Sequence, residues 1–216
     1  MKKYKVIMAD PPWEYDDKRN NAGKNNPTGA GGAIKHYPLM KIDDICNLKI
    51  NKIADEDCML FLWVTSPMME KAFKVIKSWG FKYTTVVFVW IKMKNDFSDY
   101  RKDGIGSYTL SNAEYVLLAR RGKYWRNSTK VKQIILAPKP KIHSQKPSEI
   151  RKRIEQLCGD VPRIELFSRE LNYGWDSWGL EVPNHTQAVL SEPSLNSDLT
   201  GLSADKPQIL PLAELR

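Results

Sequence analysis

The chain has 216 residues, 42% hydrophobic and 27% charged, which suits one globular domain with a tail and excludes a small disulfide scaffold or a disordered chain. Its 34 Lys and Arg against 25 Asp and Glu give a net charge of +9, which favours a polyanionic partner. That charge is concentrated: twelve basic residues and one acid stand between Ala119 and Arg153, a local +11, and the remainder sums to −2.

Tyr4–Ala9 is a short β-prone apolar run closed by Asp10-Pro11-Pro12, where proline ends ladder bonding, so it predicts a buried strand stopping at Asp10. Glu14–Lys35 is rich in Asn, Gly and Lys without apolar period and reads as a long loop. Cys58–Val64 predicts a second strand, Pro67–Trp79 an amphipathic helix closed by Gly80, and Lys82–Ile91 a third strand. Lys92–Ser107 is a polar connection. Ala113–Ala119 and Val131–Leu136 read as further strands, Pro147–Cys158 as a helix ended by Gly159, and Arg163–Ser168 as the last core strand. The alternation predicts an α/β fold, a mostly parallel sheet with helices on both faces and the site in loops beyond the strand ends. From Pro183 the composition turns to Ser, Pro, Leu and Asn without period, so 1–182 reads as one domain and 183–216 as a tail, partly disordered or packed on it.

Cys46, Cys58 and Cys158 lack any CxxC spacing, and His36, His143 and His185 lack i, i+4 spacing, so no disulfide framework or metal centre is indicated. The longest apolar runs, Met59–Val64 and Val86–Ile91, are six residues, against roughly 20 for a membrane span. A cytoplasmic protein with no membrane partner is expected.

Asp10-Pro11-Pro12-Trp13 carries the clearest chemistry. An exocyclic amine on a purine is a poor nucleophile because its lone pair is spread into the ring. A site must accept its two hydrogens while an electrophile approaches in line. The Asp10 carboxylate and the Pro11 carbonyl can accept one each, Pro12 adds no competing N–H, and Trp13 offers a stacking face. The same tetrapeptide at a strand end also makes a plain turn.

Its context resembles a known family, the adenine-N6 methyltransferases of MT-A70 type. The blocks that carry the resemblance, between about Lys5 and Val182, are Met8-Ala9-Asp10-Pro11-Pro12-Trp13, His36-Tyr37-Pro38-Leu39-Met40, Leu60-Phe61-Leu62-Trp63-Val64-Thr65, Ser111-Asn112-Ala113-Glu114-Tyr115, His143-Ser144-Gln145-Lys146-Pro147, Ile164-Glu165-Leu166-Phe167-Ser168-Arg169 and Trp175-Asp176-Ser177-Trp178-Gly179. The resemblance implies a Rossmann-like class I methyltransferase that uses S-adenosylmethionine, with the catalytic block ahead of the cofactor block. It places Tyr37, Asn112 and Glu114 beside the target base. It puts Lys146 at the carboxylate end of the cofactor, with Phe167, Arg169 and Asn172 along the rest. Glu165 either contacts the cofactor or neutralises a base such as Arg169. Two departures stand out. Longer members carry a segment before the catalytic strand that helps hold the cofactor adenine, and nine residues precede Asp10 here. Many members also have Asn after the glycine corresponding to Gly179, where this chain has Leu180; Glu181 is the candidate replacement.

A recessed strand end requires a flipped or unpaired base. The loop after Trp13 either closes over that base or is a plain surface loop. Arg120, Arg121, Lys123, Arg126, Lys130 and Lys132 alternate with Tyr124 and Trp125, which suits phosphate contact with base stacking, or else a solvated basic face over core aromatics. Trp63, Trp79, Trp90 and Cys58 read as core; Trp175 and Trp178 either pack the sheet or wall the cofactor site. The small size favours a bacterial or phage enzyme acting on DNA. RNA adenosine is the alternative substrate, and a non-catalytic nucleic-acid-binding subunit of the same fold the alternative role. A small domain offers little surface for gripping a duplex, which leaves room for a homodimer.

Overall fold

The computed structural model describes residues 2–15, 39–101, 108–123, 125–140, 145–180 and 182. Strand β1 (Tyr4–Ala9) is buried along almost its whole length because it is central, with parallel neighbours on both sides. These are β2 (Ala54–Val64) and β6 (Arg163–Leu166). With β3 (Lys82–Met93), β4 (Ala113–Arg121), β5 (Ile134–Pro138) and β7 (Asp176–Trp178), they form a seven-stranded sheet in the order β5-β3-β4-β2-β1-β6-β7. All pairings are parallel except those of β4, which runs against both β2 and β3.

That one reversal decides which residues meet. Ala9 is in register with Leu62 of β2 and Leu166 of β6, so Asp10, Thr65 and Phe167 follow the strands out of one sheet edge. In β4, Tyr115 faces Val64 and Ala113 faces Ile91, so the beginning of β4 reaches the same edge. Glu114 and Asp10 are thereby brought together from strands of opposite direction.

Helices α1 (Ile42–Asn47) and α2 (Met69–Ser78) cover one face and α3 (Glu149–Cys158) the other. In α2, Ala72, Val75 and Ile76 follow the i, i+3, i+4 spacing of a buried stripe, and they share a core with Ile7, Leu60, Leu62 and Leu117. Ile150 and Ile154 of α3 lie against Met8, Phe61, Trp63 and Val116 of the alternate sheet face. Both helices stop where the sequence signals it: Gly80 and Gly159 take φ of +81° and +79°, which disfavour a side chain.

The mostly parallel α/β sheet with helices on both faces is present, with differences of detail that include the unexpected α1 and a β6 that ends at Leu166. The 67–79 helix is a short 3-10 turn, Ser66–Met68, followed by α2. β2 begins four residues earlier than expected and β5 three later. β6 is not the last strand. A three-residue β7, too short to show alternation, adds the outer edge. The proposed loop from position 16 and the tail 183–216 lie outside the described residues. Among the described residues no helix is long and apolar enough to cross a membrane.

Candidate active site

The edge where β1, β2 and β6 end and β4 begins holds a cleft of about 280 Å³, near the lower end of small-molecule sites. Asp10, Pro11, Pro12 and Trp13 form one side, Glu114 and Lys92 another, and Phe167, Ser168, Arg169 and Leu180 a third. Trp13 is pinned rather than loose. The residue is 5% exposed, its backbone bridges Met40, and its indole N–H donates to the Trp63 carbonyl at 3.3 Å. It borders the cleft as a fixed wall. The Pro11 carbonyl accepts the Trp13 N–H at 2.9 Å, which leaves it a second lone pair.

Four side chains of alternating charge run across the floor. Lys92 Nζ lies 2.7 Å from Glu114, Lys146 Nζ lies 3.5 Å from Glu114, and Lys146 also donates to Asp10 Oδ2 at 2.6 Å. The two ammonium groups lie over the Trp90 and Trp63 rings, 5.3 and 5.4 Å from the centroids. The carboxylates do not share one fate. Burial pushes the Asp10 carboxyl above its usual range, and Lys146 reduces that rise without cancelling it. Burial raises Glu114 too, but Lys146 and Lys92 together outweigh it and hold Glu114 below its ordinary value. Two acids with their proton affinities driven apart in one cleft are a mark of a reactive site.

Beyond β6 the chain turns through Phe167, whose φ of +61° is uncommon for a side-chain-bearing residue. Its ring borders the cleft and packs edge-on against Trp178 at 5.2 Å. Arg169 follows on the cleft wall. Glu165 is engaged elsewhere. It takes Arg151 in a two-pronged ion pair, at 2.8 and 3.0 Å, so the base it neutralises is Arg151 rather than Arg169. Asn172 braces that pair, 3.3 Å from Glu165, and does not border the cleft. Trp175 and Trp178 pack the two faces of the sheet, Trp175 donating to Glu155 at 2.7 Å.

The basic segment stands away from the cleft. Arg120 and Arg121 stand at the far end of β4, opposite Lys82 and Cys58 at the other edge of the sheet. Arg121 is seven strand steps from Glu114, about 23 Å. Lys123 and Arg126 follow beyond that edge, so none of these four adjoins the cleft. Sequence proximity to the cofactor-like block concealed this because β4 runs backwards. Trp125 is not a free stacking face either: its indole donates to the Cys158 carbonyl at 3.1 Å. Asn112 is half-buried at the β3–β4 turn, accepting the Lys92 N–H at 2.8 Å, and does not border the cleft. Tyr37, Tyr124 and Glu181 lie outside the described residues.

Among the cleft residues to which the sequence reading gave no role are Lys92, Tyr15, Lys139, Gln145 and Ser168. Lys92 is the charge that ends the apolar run of β3, a signal that could have been noticed. Tyr15, whose hydroxyl is 2.8 Å from Thr65 Oγ1, and Lys139 carry no such signal.

A family model described as MT-A70 matches residues 4–181. The chain is 36% identical over 208 residues to the Type II methyltransferase M.MunI of Mycoplasma sp., covering 91% of this chain and 85% of that protein. It is 26% identical over 170 residues to the N(6)-adenosine-methyltransferase catalytic subunit METTL3 of Homo sapiens, and equally to the N(6)-adenosine-methyltransferase MT-A70-like protein of Drosophila melanogaster. Those alignments take in 79% of this chain but 26% and 25% of the two larger proteins.

Proposed function

The chain belongs to the MT-A70 family of methyltransferases, and on that premise we propose that it moves a methyl group from S-adenosylmethionine to the N6 amine of adenine in DNA, with the base flipped or unpaired. The observation that carries this reading is the meeting of Asp10 and the Pro11 carbonyl with Glu114, Lys146 and Arg169 around one cleft.

The residues present suit such a methyl donor. Lys146, Lys139 and Arg169 bring positive charge for a carboxylate, Gln145 and Ser168 offer polar groups for hydroxyls, and Phe167 and Leu180 supply apolar wall. When bound, that group would supply an electrophilic methyl and keep the sulfur–carbon bonding pair, leaving as a neutral thioether. Asp10 accepts one hydrogen of the adenine amine and the Pro11 carbonyl the other, which draws the nitrogen lone pair out of conjugation and toward the methyl. Lys146 occupies Oδ2 of Asp10, and a carboxylate has a second oxygen for this contact. As the N–C bond forms the nitrogen must shed a proton. Asp10, with its raised proton affinity, is suited to take it.

DNA is favoured over RNA because the similarity spans nearly all of a Type II methyltransferase but about a quarter of the N(6)-adenosine-methyltransferases. The test is incubation with methyl-labelled S-adenosylmethionine and a panel of single- and double-stranded DNA and RNA. Label on adenine in DNA is expected. Label confined to RNA would transfer the reading to that polymer, and label on neither would overturn it.

A further inference from the structure

The basic residues of the +11 segment divide into those the fold uses and those it leaves outside. Arg151 is bound to Glu165, Arg153 to Glu149 and to the Ile134 carbonyl, and Lys139 and Lys146 border the cleft. Of the others, Arg120 and Arg121 are half-buried at the end of β4, Lys152 is exposed on α3 and Lys141 lies outside the described residues; Lys123, Arg126, Lys130 and Lys132 share one connecting stretch. All four are exposed, and among the described residues none has a side-chain ion pair.

The stretch that carries them connects the far end of β4 to the start of β5, and it is fastened from beneath. The Asn127 N–H donates to the Leu157 carbonyl at 2.7 Å, Trp125 is tied to the end of α3, and Gln133 donates to the Val86 carbonyl at 2.6 Å. Trp125 and Val131 pack into the core on the α3 side. Trp125 and Val131 are thus the partly buried positions of the stretch, while the four cations are exposed. A free basic tail would give a diffuse attraction; a fastened one holds its charges at fixed spacing, as a regular polyanion requires.

We propose that Lys123, Arg126, Lys130 and Lys132 form a rail for the phosphate backbone of the nucleic-acid substrate, gripping it at a distance from the target base. The proposal rests on the reading that the substrate is nucleic acid. Nine residues from Lys123 to Lys132 reach at most about 30 Å. From Lys132 the chain enters β5, which runs parallel to β3 toward the cleft and ends just before Lys139 at its wall. That is seven residues, or about 23 Å. At about 3.4 Å per phosphate on one strand, the rail's nearest contact falls about six or seven nucleotides from the flipped adenine, on one side only. The rail therefore contributes affinity and register, while Asp10 and its neighbours meet the base.

The test is fluorescence-anisotropy titration of the full chain with a labelled 30-base-pair duplex in rising salt. It compares the parent with the quadruple variant Lys123→Gln, Arg126→Gln, Lys130→Gln, Lys132→Gln and with Lys130→Gln alone. The expected result is a salt slope smaller by about three to four for the quadruple variant and about one for the single, with unchanged melting temperature. A duplex extending four base pairs either side of the adenine should bind parent and variant alike. An unchanged slope on the long duplex, or an equal loss on the short one, overturns the rail but leaves the methylation reading intact. Absence of binding to any nucleic acid by the parent overturns both. Loss of binding to anionic phospholipid vesicles with no change on DNA would assign the charges to a membrane and overturn the rail.

Discussion

Lys146 Nζ lies 2.6 Å from Asp10 Oδ2, although 136 residues separate the two in the chain. The same ammonium stands 3.5 Å from Glu114, so one cation answers two carboxylates with opposed shifts in proton affinity. Lys146 is the residue expected to face the cofactor carboxylate, and its position on Asp10 makes it a link between the cofactor side and the amine side of the cleft.

Replacing Lys146 with Met removes that shared counter-charge. Asp10 then binds its proton more tightly, and the acid limb of kcat/KM moves to higher pH. Because 29% of the Asp10 side chain stays open to solvent, the stability loss should be about 2 kcal/mol, below that of a fully buried pair. Chemical denaturation and a pH–rate profile check both parts.

Asp10→Asn and Glu114→Gln should shift stability in opposite directions. The folded chain raises the Asp10 pKa above 3.8, so above that pH the ionised group disfavours the folded state. Asp10→Asn relieves this, and its melting temperature should exceed the parent's near pH 7, with the gain gone below pH 3.8. Glu114 is lowered from 4.5, so its ionised form stabilises the fold above that value and loses the contribution as pH falls through the folded pKa. Glu114→Gln should melt lower near neutrality and converge with the parent in acid. Melting curves across that range read both signs.

Glu165→Gln tests whether Glu165 serves the fold or the cofactor. Burial raises the Glu165 carboxyl above its usual range even beside Arg151, so by the same sign as for Asp10 the neutral Glu165→Gln should not melt lower near pH 7. Arg151→Met, which strands that carboxylate, should lose about 3 kcal/mol; Arg151 is itself 8% exposed. The double replacement Arg151→Met, Glu165→Met should recover much of that loss. Cofactor affinity of the folded fraction, measured by calorimetry, should change little.

How much of this was visible in the chain depended on whether a signal was local. The apolar run Tyr4–Ala9, the proline stop after Asp10, and the helix ends at Gly80 and Gly159 are set by their own residues, and the structure follows them. The family resemblance groups Asp10, Glu114, Lys146, Phe167 and Arg169 from motifs far apart in the chain, and they border one cleft. Strand direction was not local. Nothing in Ala113–Arg121 states that it runs against its neighbours, and on that reversal depend both the nearness of Glu114 and the remoteness of Arg120 and Arg121. The partner of Glu165 was equally hidden, because Arg151 reaches it from a helix on the sheet face rather than from the neighbouring chain.

Gly179 is needed for close approach. A Cβ there would meet the Ser168 carbonyl oxygen at 2.0 Å and its nitrogen at 2.8 Å, both backbone atoms next to the cleft wall. Gly179→Ala should therefore push the Phe167–Arg169 turn outward, costing about 3 kcal/mol and weakening cofactor binding together with stability. Differential scanning fluorimetry with and without S-adenosylmethionine separates the two effects.

The central claim is that Asp10 orients the adenine amine for methyl transfer. The most direct test is single-turnover reaction of the parent and Asp10→Asn with adenine-containing DNA and S-adenosylmethionine, followed by digestion and mass analysis of the nucleosides. The account predicts N6-methyldeoxyadenosine from the parent, at least about 100-fold slower formation by the variant, and cofactor affinity retained in both. Equal rates from the two proteins, or methylation at another atom of the base, would contradict it.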